Sequence, residues 1–325
     1  MTTHMNRLDG QLVTLFGGGG FVGRHAAQAL MQAGARVRIV QRHPMRAAAV
    51  RALGNLGQVQ LVGADIAEPE QTIRAAQGSD AIVNLVGILK GDFDALHVDG
   101  AANIAKAAAH VGAAKMIQLS AIGADSKSPS AYGRSKAMGE QAVHSIYPGA
   151  VILRPSIIFG QQDRFINRFA ALIRSTPIVP IVPIVAPNTR FQPIFVGDVA
   201  RAIVAPIGGD AMAGGTFELG GAQIFSMREL LMWIARQIGR DPLFIELPDA
   251  LAGGLATLTG WLPGAPITRD QWAMLGRDNV VNSRASGLSA LGITPTALDS
   301  IVPGWLDIYR PHGRFSAPGD RSATA

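Results

Sequence analysis

Short apolar runs alternate with longer, alanine-rich amphipathic stretches through the first half of the chain. The runs Leu12–Phe16, Val37–Gln41, Val59–Val62, Ala81–Val86, Lys115–Leu119 and Val151–Leu153 have strand length and strand composition. Between them, residues near 21–33, 44–54, 68–77, 94–111 and 131–146 read as helices. Strands that are apolar almost throughout, each followed by a helix, predict a parallel sheet covered on both faces. Right-handed crossovers make such a sheet doubly wound.

The regularity breaks after Gly160. Ile178–Phe195 is rich in proline and β-branched residues and reads as strand and loop. Val196–Pro206 and Met227–Ile238 read as helices, the second with Leu230, Leu231, Ile234 and Ile238 on one stripe. The expected organisation is a sheet domain over residues 11–160 and a smaller substrate or partner lobe over 161–312. Residues of about 197–221 are expected to return to the sheet. The Ser-, Ala- and Gly-rich tail 313–325 is expected to be disordered. There is no internal repeat.

Composition narrows the function classes. The 325 residues are 48% hydrophobic and 16% charged, a globular balance. The absence of cysteine excludes disulfides, thiolate metal sites and a thiol nucleophile. The histidines at 4, 25, 43, 97, 110, 144 and 312 have no metal-ligand spacing, so no metal is expected. Met1–Gly10 is polar, so no secretory signal is expected. No run reaches the ~18 apolar residues of a membrane span. The expected location is cytoplasmic, peripheral on the inner face of the cell membrane. A net charge of +6 favours an anionic partner such as a nucleotide, an acidic membrane surface or an acidic subunit. The basic residues are scattered without aromatic neighbours, which argues against nucleic acid.

The first strand runs into Gly17-Gly18-Gly19-Gly20-Phe21-Val22-Gly23, and a helix follows. Gly17 permits a tight turn, Gly20 lets backbone approach a diphosphate, and Gly23 allows the helix to pack closely on the strand. The helix N-terminus adds unpaired N–H groups and a positive dipole end. Glycines alone could make a flexible loop; their place between the first strand and first helix is what points to a dinucleotide cradle. The expected fold is therefore α/β: a doubly wound parallel Rossmann sheet with a smaller C-terminal α/β lobe.

The second strand should end beside the adenosine ribose, where an NAD site carries Asp or Glu. Here stand Gln41 and Arg42, with Arg46 one turn later. A guanidinium suits a 2′-phosphate, worth ~1.5–3 kcal/mol or ~10- to 150-fold in preference. A solvated surface arginine is the alternative. The expectation is NADP(H), with NAD(H) second.

At these residues the chain resembles the extended short-chain dehydrogenase/reductases, the NAD-dependent epimerase/dehydratase superfamily. Gly63-Ala64-Asp65-Ile66 resembles its adenine-contacting segment, and Asn84-Leu85-Val86-Gly87 the segment that lines the cofactor. Val98–Ile104 is similar to the helix that follows. Tyr132-Gly133-Arg134-Ser135-Lys136 matches YxxxK, and Arg154-Pro155-Ser156 resembles the segment near the nicotinamide. The resemblance thus implies cofactor contacts at Gly17, Gly20, Phe21, Val22, Gly23, Arg42, Asp65, Ile66, Leu85, Val86, Gly87, Tyr132, Lys136 and Pro155. Phe191–Val199, Thr216–Gly221 and especially Thr268–Val281 resemble one branch, the nucleotide-binding accessory subunit of respiratory complex I (NADH:ubiquinone oxidoreductase) and its bacterial relatives. Leu291–Pro295 and Trp305–Arg310 fit it too. That branch implies an NADP(H)-holding accessory or assembly protein, with complex I subunits as partners at the membrane surface.

In active relatives the lysine lowers the tyrosine pKa and holds the nicotinamide ribose, and the tyrosine exchanges a proton with substrate while hydride moves. Tyr132 and Lys136 are the catalytic candidates on that reading; the alternative is that they only grip the ribose. Active relatives also place a Ser or Thr hydroxyl just after the fifth strand. Here Leu119-Ser120-Ala121-Ile122 puts Ile122 at the substrate-facing position. Losing such a donor costs on the order of 2.7–4 kcal/mol at the transition state. Ser128 or Ser130 could supply a hydroxyl from the loop before Tyr132. The expectation is a retained cofactor with little or no turnover. The alternative is an active reductase, epimerase or dehydratase on a small carbonyl or sugar-nucleotide substrate. The apolar segment Leu251–Leu262, with Trp261 and Trp272, is expected either to be core or to dock on a membrane subunit.

Overall fold

A computed structural model describes residues 8–175, 181–209, 212–248, 253–254, 268–311 and 313. Contacts divide the chain into two compact units. The first comprises the chain to Pro155 with Val196–Gly220 and Val281–Thr294; the second comprises Ser156–Phe195, Gly221–Val280 and the chain from Pro295.

In the first unit strands and helices alternate as β1 (Leu12–Phe16), α1 (Phe21–Gln32), β2 (Arg36–Gln41), β3 (Val59–Gly63), α2 (Pro69–Ala76), β4 (Ala81–Asn84), α3 (Gly100–His110), β5 (Lys115–Leu119), α4 (Ala131–Ile146) and β6 (Val151–Pro155). Beyond these come β7 (Ile158–Phe159), α5 (Ile166–Arg174), β8 (Ile181–Ile184), β9 (Arg190–Phe191), β10 (Ile194–Phe195), α6 (Val196–Ile207) and β11 (Thr216–Leu219). The sheet has seven strands in the order β11-β6-β5-β4-β1-β2-β3, and every pairing is parallel. This is the doubly wound Rossmann order with β11 added at the β6 edge. β4 is buried at every position. Over one face of the sheet Phe16, Val40, Ile82, Met116 and Ile152 meet Ala101, Ala105 and Ala108 of α3. The small alanines let α3 approach closely, and each fully buried aliphatic side chain of the strands contributes about 1.5–3 kcal/mol.

Three elements depart from the expected spans for local reasons. β4 stops at Asn84, not Val86, because the Asn84 Oδ1 accepts the Val86 N–H at 3.0 Å while its Nδ2 donates to Gln118 Oε1 at 2.8 Å. Residues Pro44–Leu53 wind as a 3-10 helix; no side chain caps it, and its bonding begins with the Arg46 N–H on the His43 carbonyl. The stretch 94–111 opens as a π-helix over Asp94–Asp99 before α3 begins.

The second unit adds β12 (Phe225–Ser226), α7 (Met227–Gln237) and β13 (Leu243–Glu246). Three two-stranded pairs, β7 with β10, β8 with β13 and β9 with β12, surround a core of Phe159, Ile166, Ile173, Leu230, Ile234 and Leu306. A capping box between Ser226 and Glu229 starts α7. The first unit ends at Pro155 rather than 160, and it also takes in residues 281–294, because Phe217 of β11 bridges to Ser286. The tail 314–325 and most of Leu251–Leu262, Trp261 included, lie outside the described residues.

Candidate coenzyme site

Strand order and chain order diverge at one place. β1 and β4 are neighbours from Val13↔Ala81 to Phe16↔Asn84, and the chain leaves them toward opposite edges of the sheet. The crevice at the C-terminal ends of such a pair is where open α/β sheets take ligands. Gly17 follows β1 there and Leu85 follows β4. Gly17 has φ +80, and a Cβ on it would stand 3.2 Å from both the Leu85 carbonyl carbon and the Val86 nitrogen. A side chain is therefore excluded twice, by the left-handed conformation and by the neighbouring exit.

A Cβ on Gly23 would be 2.5 Å from the Gly18 backbone. The close packing that Gly23 permits is thus α1 against the glycine turn, not α1 against the strand as the spacing suggested. Gly20 is different. It caps α1, and a Cβ there would meet only the Gly17 carbonyl oxygen, at 3.3 Å. No side chain caps the first amides of α1, at Phe21, Val22 and Gly23, and no acid lies in its first turn. Bare amides, an open approach and a positive dipole end make a cradle that fits a diphosphate.

At the end of β2 the Gln41 side chain reaches this turn: a Cβ on Gly19 would collide with its Oε1, and its Nε2 donates to the His43 carbonyl at 2.7 Å. Arg42 and Arg46 are exposed beside it, and residues 41–53 contain no acid. Past β3, the Asp65 Oδ1 accepts the Ala67 N–H at 3.1 Å, so one carboxylate oxygen closes its own turn. Ile66 is buried, and its carbonyl accepts Asn103 Nδ2 at 2.9 Å.

Tyr132 and Lys136 project from α4. Ser130 caps this helix, accepting the Gly133 N–H at 3.2 Å, and the Ser128 Oγ accepts the Ser130 N–H at 3.3 Å. Both serines considered as substitute hydroxyls are engaged in starting the helix. The Lys136 Nζ donates to the Leu119 carbonyl at 3.3 Å, stands 5.9 Å from the Tyr132 ring centre, and would lie 3.4 Å from a Cβ on Gly87. Burial pushes the Lys136 ammonium down to about 8, against the opposing pull of Glu140, and pushes the Tyr132 phenol up to about 12. The lowered tyrosine that active relatives imply is not what this environment produces: desolvation of the buried phenol raises it.

Ile122 is 8% exposed, and its N–H donates to the carbonyl of Pro155 at 3.0 Å. Pro155 ends β6, in register with Leu219 of β11. The crevice therefore gathers Gly17, Gly20, Leu85, Val86, Gly87, Tyr132, Lys136, Ile122 and Pro155 at the C-terminal ends of β1, β4, β5 and β6. Arg42 and Asp65 stand at the ends of β2 and β3.

Two parts of the site were not read from the sequence. His97, buried in the π-helix, accepts the Ile88 N–H on Nε2 at 3.0 Å, and its Nδ1 lies 2.9 Å from the Ser135 Oγ. The Ser135 hydroxyl gives its proton to the Tyr132 carbonyl at 2.9 Å, so it must accept from His97 Nδ1. His97 is therefore neutral with both nitrogens committed; burial first, and the Lys136 charge second, hold it down to about 3. The second part is an ion pair behind Lys136, where the Arg154 Nε donates to Glu140 Oε1 at 2.9 Å. A polar residue inside an alanine-rich helical run was the only signal for either. Among the described residues no group of three or more His, Cys, Asp or Glu could hold a metal, and no helix is long and apolar enough to cross a membrane.

Comparison with known proteins agrees with this geometry. The profile of the NAD dependent epimerase/dehydratase family matches residues 13–220. The chain belongs to that family. It is 32% identical to a Mus musculus protein named NADH dehydrogenase [ubiquinone] 1 alpha subcomplex subunit 9, mitochondrial, over 90% of this chain and 78% of that protein. It is 31% identical to a ceramide reductase of Caulobacter vibrioides over 78% of this chain and 80% of that protein. Among solved structures, the Citrobacter sp. triphenylmethane reductase complexed with NADP(H) superposes with a TM-score of 0.73 at 18% identity, covering 90% of this chain and 99% of that one. At that identity the likeness concerns the fold.

Proposed function

We propose that this chain holds NADP(H) as an accessory or assembly protein of NADH:ubiquinone oxidoreductase (complex I), with little or no turnover. The observation that carries the low-turnover reading is Ile122. A carbonyl reduced against that position needs a hydrogen-bond donor there, and the Ile122 side chain supplies none. Tyr132, pushed up to about 12, is far from the operating pH and gives up its proton reluctantly, so it is poorly matched to proton transfer. The names of the mouse and other mitochondrial relatives support the complex I assignment, and they also support a peripheral place at the membrane surface.

The coenzyme, when bound, supplies a hydride at its nicotinamide ring; what the chain supplies is a grip. The α1 amides and Gly20 would hold the diphosphate, Arg42 the 2′-phosphate, and Lys136 the nicotinamide ribose. Gln41 in place of an acid, with Arg42 exposed beside it, favours NADP(H) over NAD(H). Wild-type protein is expected to bind NADPH ~10- to 150-fold more tightly than NADH; equal dissociation constants overturn the preference. Solubilised native membranes should yield the chain together with complex I, and separate migration overturns the partner assignment.

The second reading, an active reductase, is favoured by the Tyr132–Lys136 pair and by the likeness to the Caulobacter enzyme. Tyr132→Phe separates the two. An accessory protein keeps its coenzyme and partner, whereas a reductase loses NADPH oxidation.

A further inference from the structure

Short π-helices recur at functional sites, and the one over Asp94–Asp99 buries a histidine. His97 Nε2 accepts the Ile88 N–H at 3.0 Å, and its Nδ1–H reaches the Ser135 Oγ of α4 at 2.9 Å. One imidazole thus joins the loop that follows β4 to the helix that carries Tyr132 and Lys136. Neighbouring rings fix its plane: Phe93 stacks on it with centres 5.4 Å apart, and the Tyr132 ring meets it nearly at right angles at 5.5 Å. The backbones are close as well, since a Cβ on Gly139 of α4 would collide with the His97 carbonyl oxygen. All this lies at the wall of the crevice. A Cβ on Gly87 would stand 3.4 Å from Lys136 Nζ and 4.0 Å from His97 Nε2. Asn84 anchors the Val86 N–H and His97 the Ile88 N–H, so the two bonds bracket Gly87.

We propose that His97 is a positioning residue of the coenzyme site: by holding Ile88 and Ser135 at once, it ties the loop after β4 to α4 and sets the spacing of Gly87 from Lys136 on which the grip on the nicotinamide riboside depends. The role needs one acceptor and one donor on a single side chain, which a neutral imidazole provides and an imidazolium, having no acceptor, does not. Burial keeps the ring neutral. A side chain that merely filled the space would need neither nitrogen. His97 itself touches no coenzyme on this view; it acts through Ile88 and Ser135. This inference rests on the coenzyme reading above.

The test compares wild type with His97→Leu and His97→Gln, using NADPH and 2′,5′-ADP, which lacks the nicotinamide riboside. Leucine fills space without either hydrogen bond, whereas glutamine carries an acceptor oxygen and a donor nitrogen at its end. His97→Leu should weaken NADPH binding by about threefold to tenfold. Its affinity for 2′,5′-ADP should match wild type, which also shows that the adenosine end is intact. His97→Gln should restore most of the NADPH affinity, a rescue that a space-filling role would not produce. Should His97→Leu fail to fold, Ser135→Ala removes the α4 half of the tie and should show the same loss for NADPH alone. Unchanged NADPH affinity in the variant that folds, equal loss for both probes, or no rescue by glutamine overturns the inference while leaving the coenzyme reading in place. A wild-type protein that binds neither probe overturns the coenzyme reading, and this inference falls with it.

Discussion

Between pH 8 and 10 the ammonium of Lys136 governs how the stability of the empty protein responds to titration. Burial holds this group down to about 8, below its ordinary value near 10.5. In that interval the unfolded chain binds the proton and the folded chain does not, so stability rises with pH. Above pH 10, Tyr132, pushed up to about 12, acts in the opposite sense. The melting midpoint of wild type relative to Lys136→Met should therefore climb from pH 8 to pH 10; parallel profiles would falsify the assignment. Coenzyme binding needs the charged lysine, so NADPH affinity should decline over the same interval, and a flat affinity profile would count against Lys136 as the ribose ligand. At this scale the sequence displayed the glycines, Tyr132, Lys136 and Ile122, because each has a fixed offset from a strand end. It did not display His97 or the Glu140–Arg154 pair. Their meaning lies in contacts between residues 14 to 38 positions apart, to which periodicity is blind.

The glycine turn and α1 form one element with two separable duties. Gly23 serves folding, since a Cβ there would meet the Gly18 backbone at 2.5 Å. Gly23→Ala should destabilise the empty protein by about 1–3 kcal/mol, read as a lowered urea midpoint. Gly20 serves the ligand. A methyl at Gly20 meets only one carbonyl oxygen of the protein, so Gly20→Ala should leave the urea midpoint close to wild type while abolishing stabilisation by NADPH. If both variants lose stability alike, the two duties are not separate. Among the helices, Ser226→Ala removes half of the α7 capping box and should cost about 1 kcal/mol, measured in the same titration; no change would mean that Glu229 caps the helix unaided. Long periodic elements were legible in the sequence. The 3-10 helix at 44–53 and the π-helix at 94–99 were not, because helical periodicity does not distinguish among i+3, i+4 and i+5 bonding.

Across the whole molecule, a ligand that binds only the folded chain stabilises it by about 2.7 kcal/mol at one hundred times its dissociation constant. NADPH at that excess should slow proteolysis of the chain, and an unchanged digestion rate would indicate no linkage between coenzyme and fold. Six of the seven strands could be read from the sequence because they alternate with helices in chain order. The seventh could not be pinned to its neighbour, since β11 lies about sixty residues beyond β6 in the chain. That late arrival has a practical result. A shortened polypeptide stopped at Gly160 would lose β11 and also α6, which packs on α1. The margin of β6 would then present a row of vacant amide and carbonyl groups, a template onto which other molecules could add strands. Such a fragment should be recovered as insoluble aggregate, and its purification as a stable monomer would show that the early strands can guard their own border.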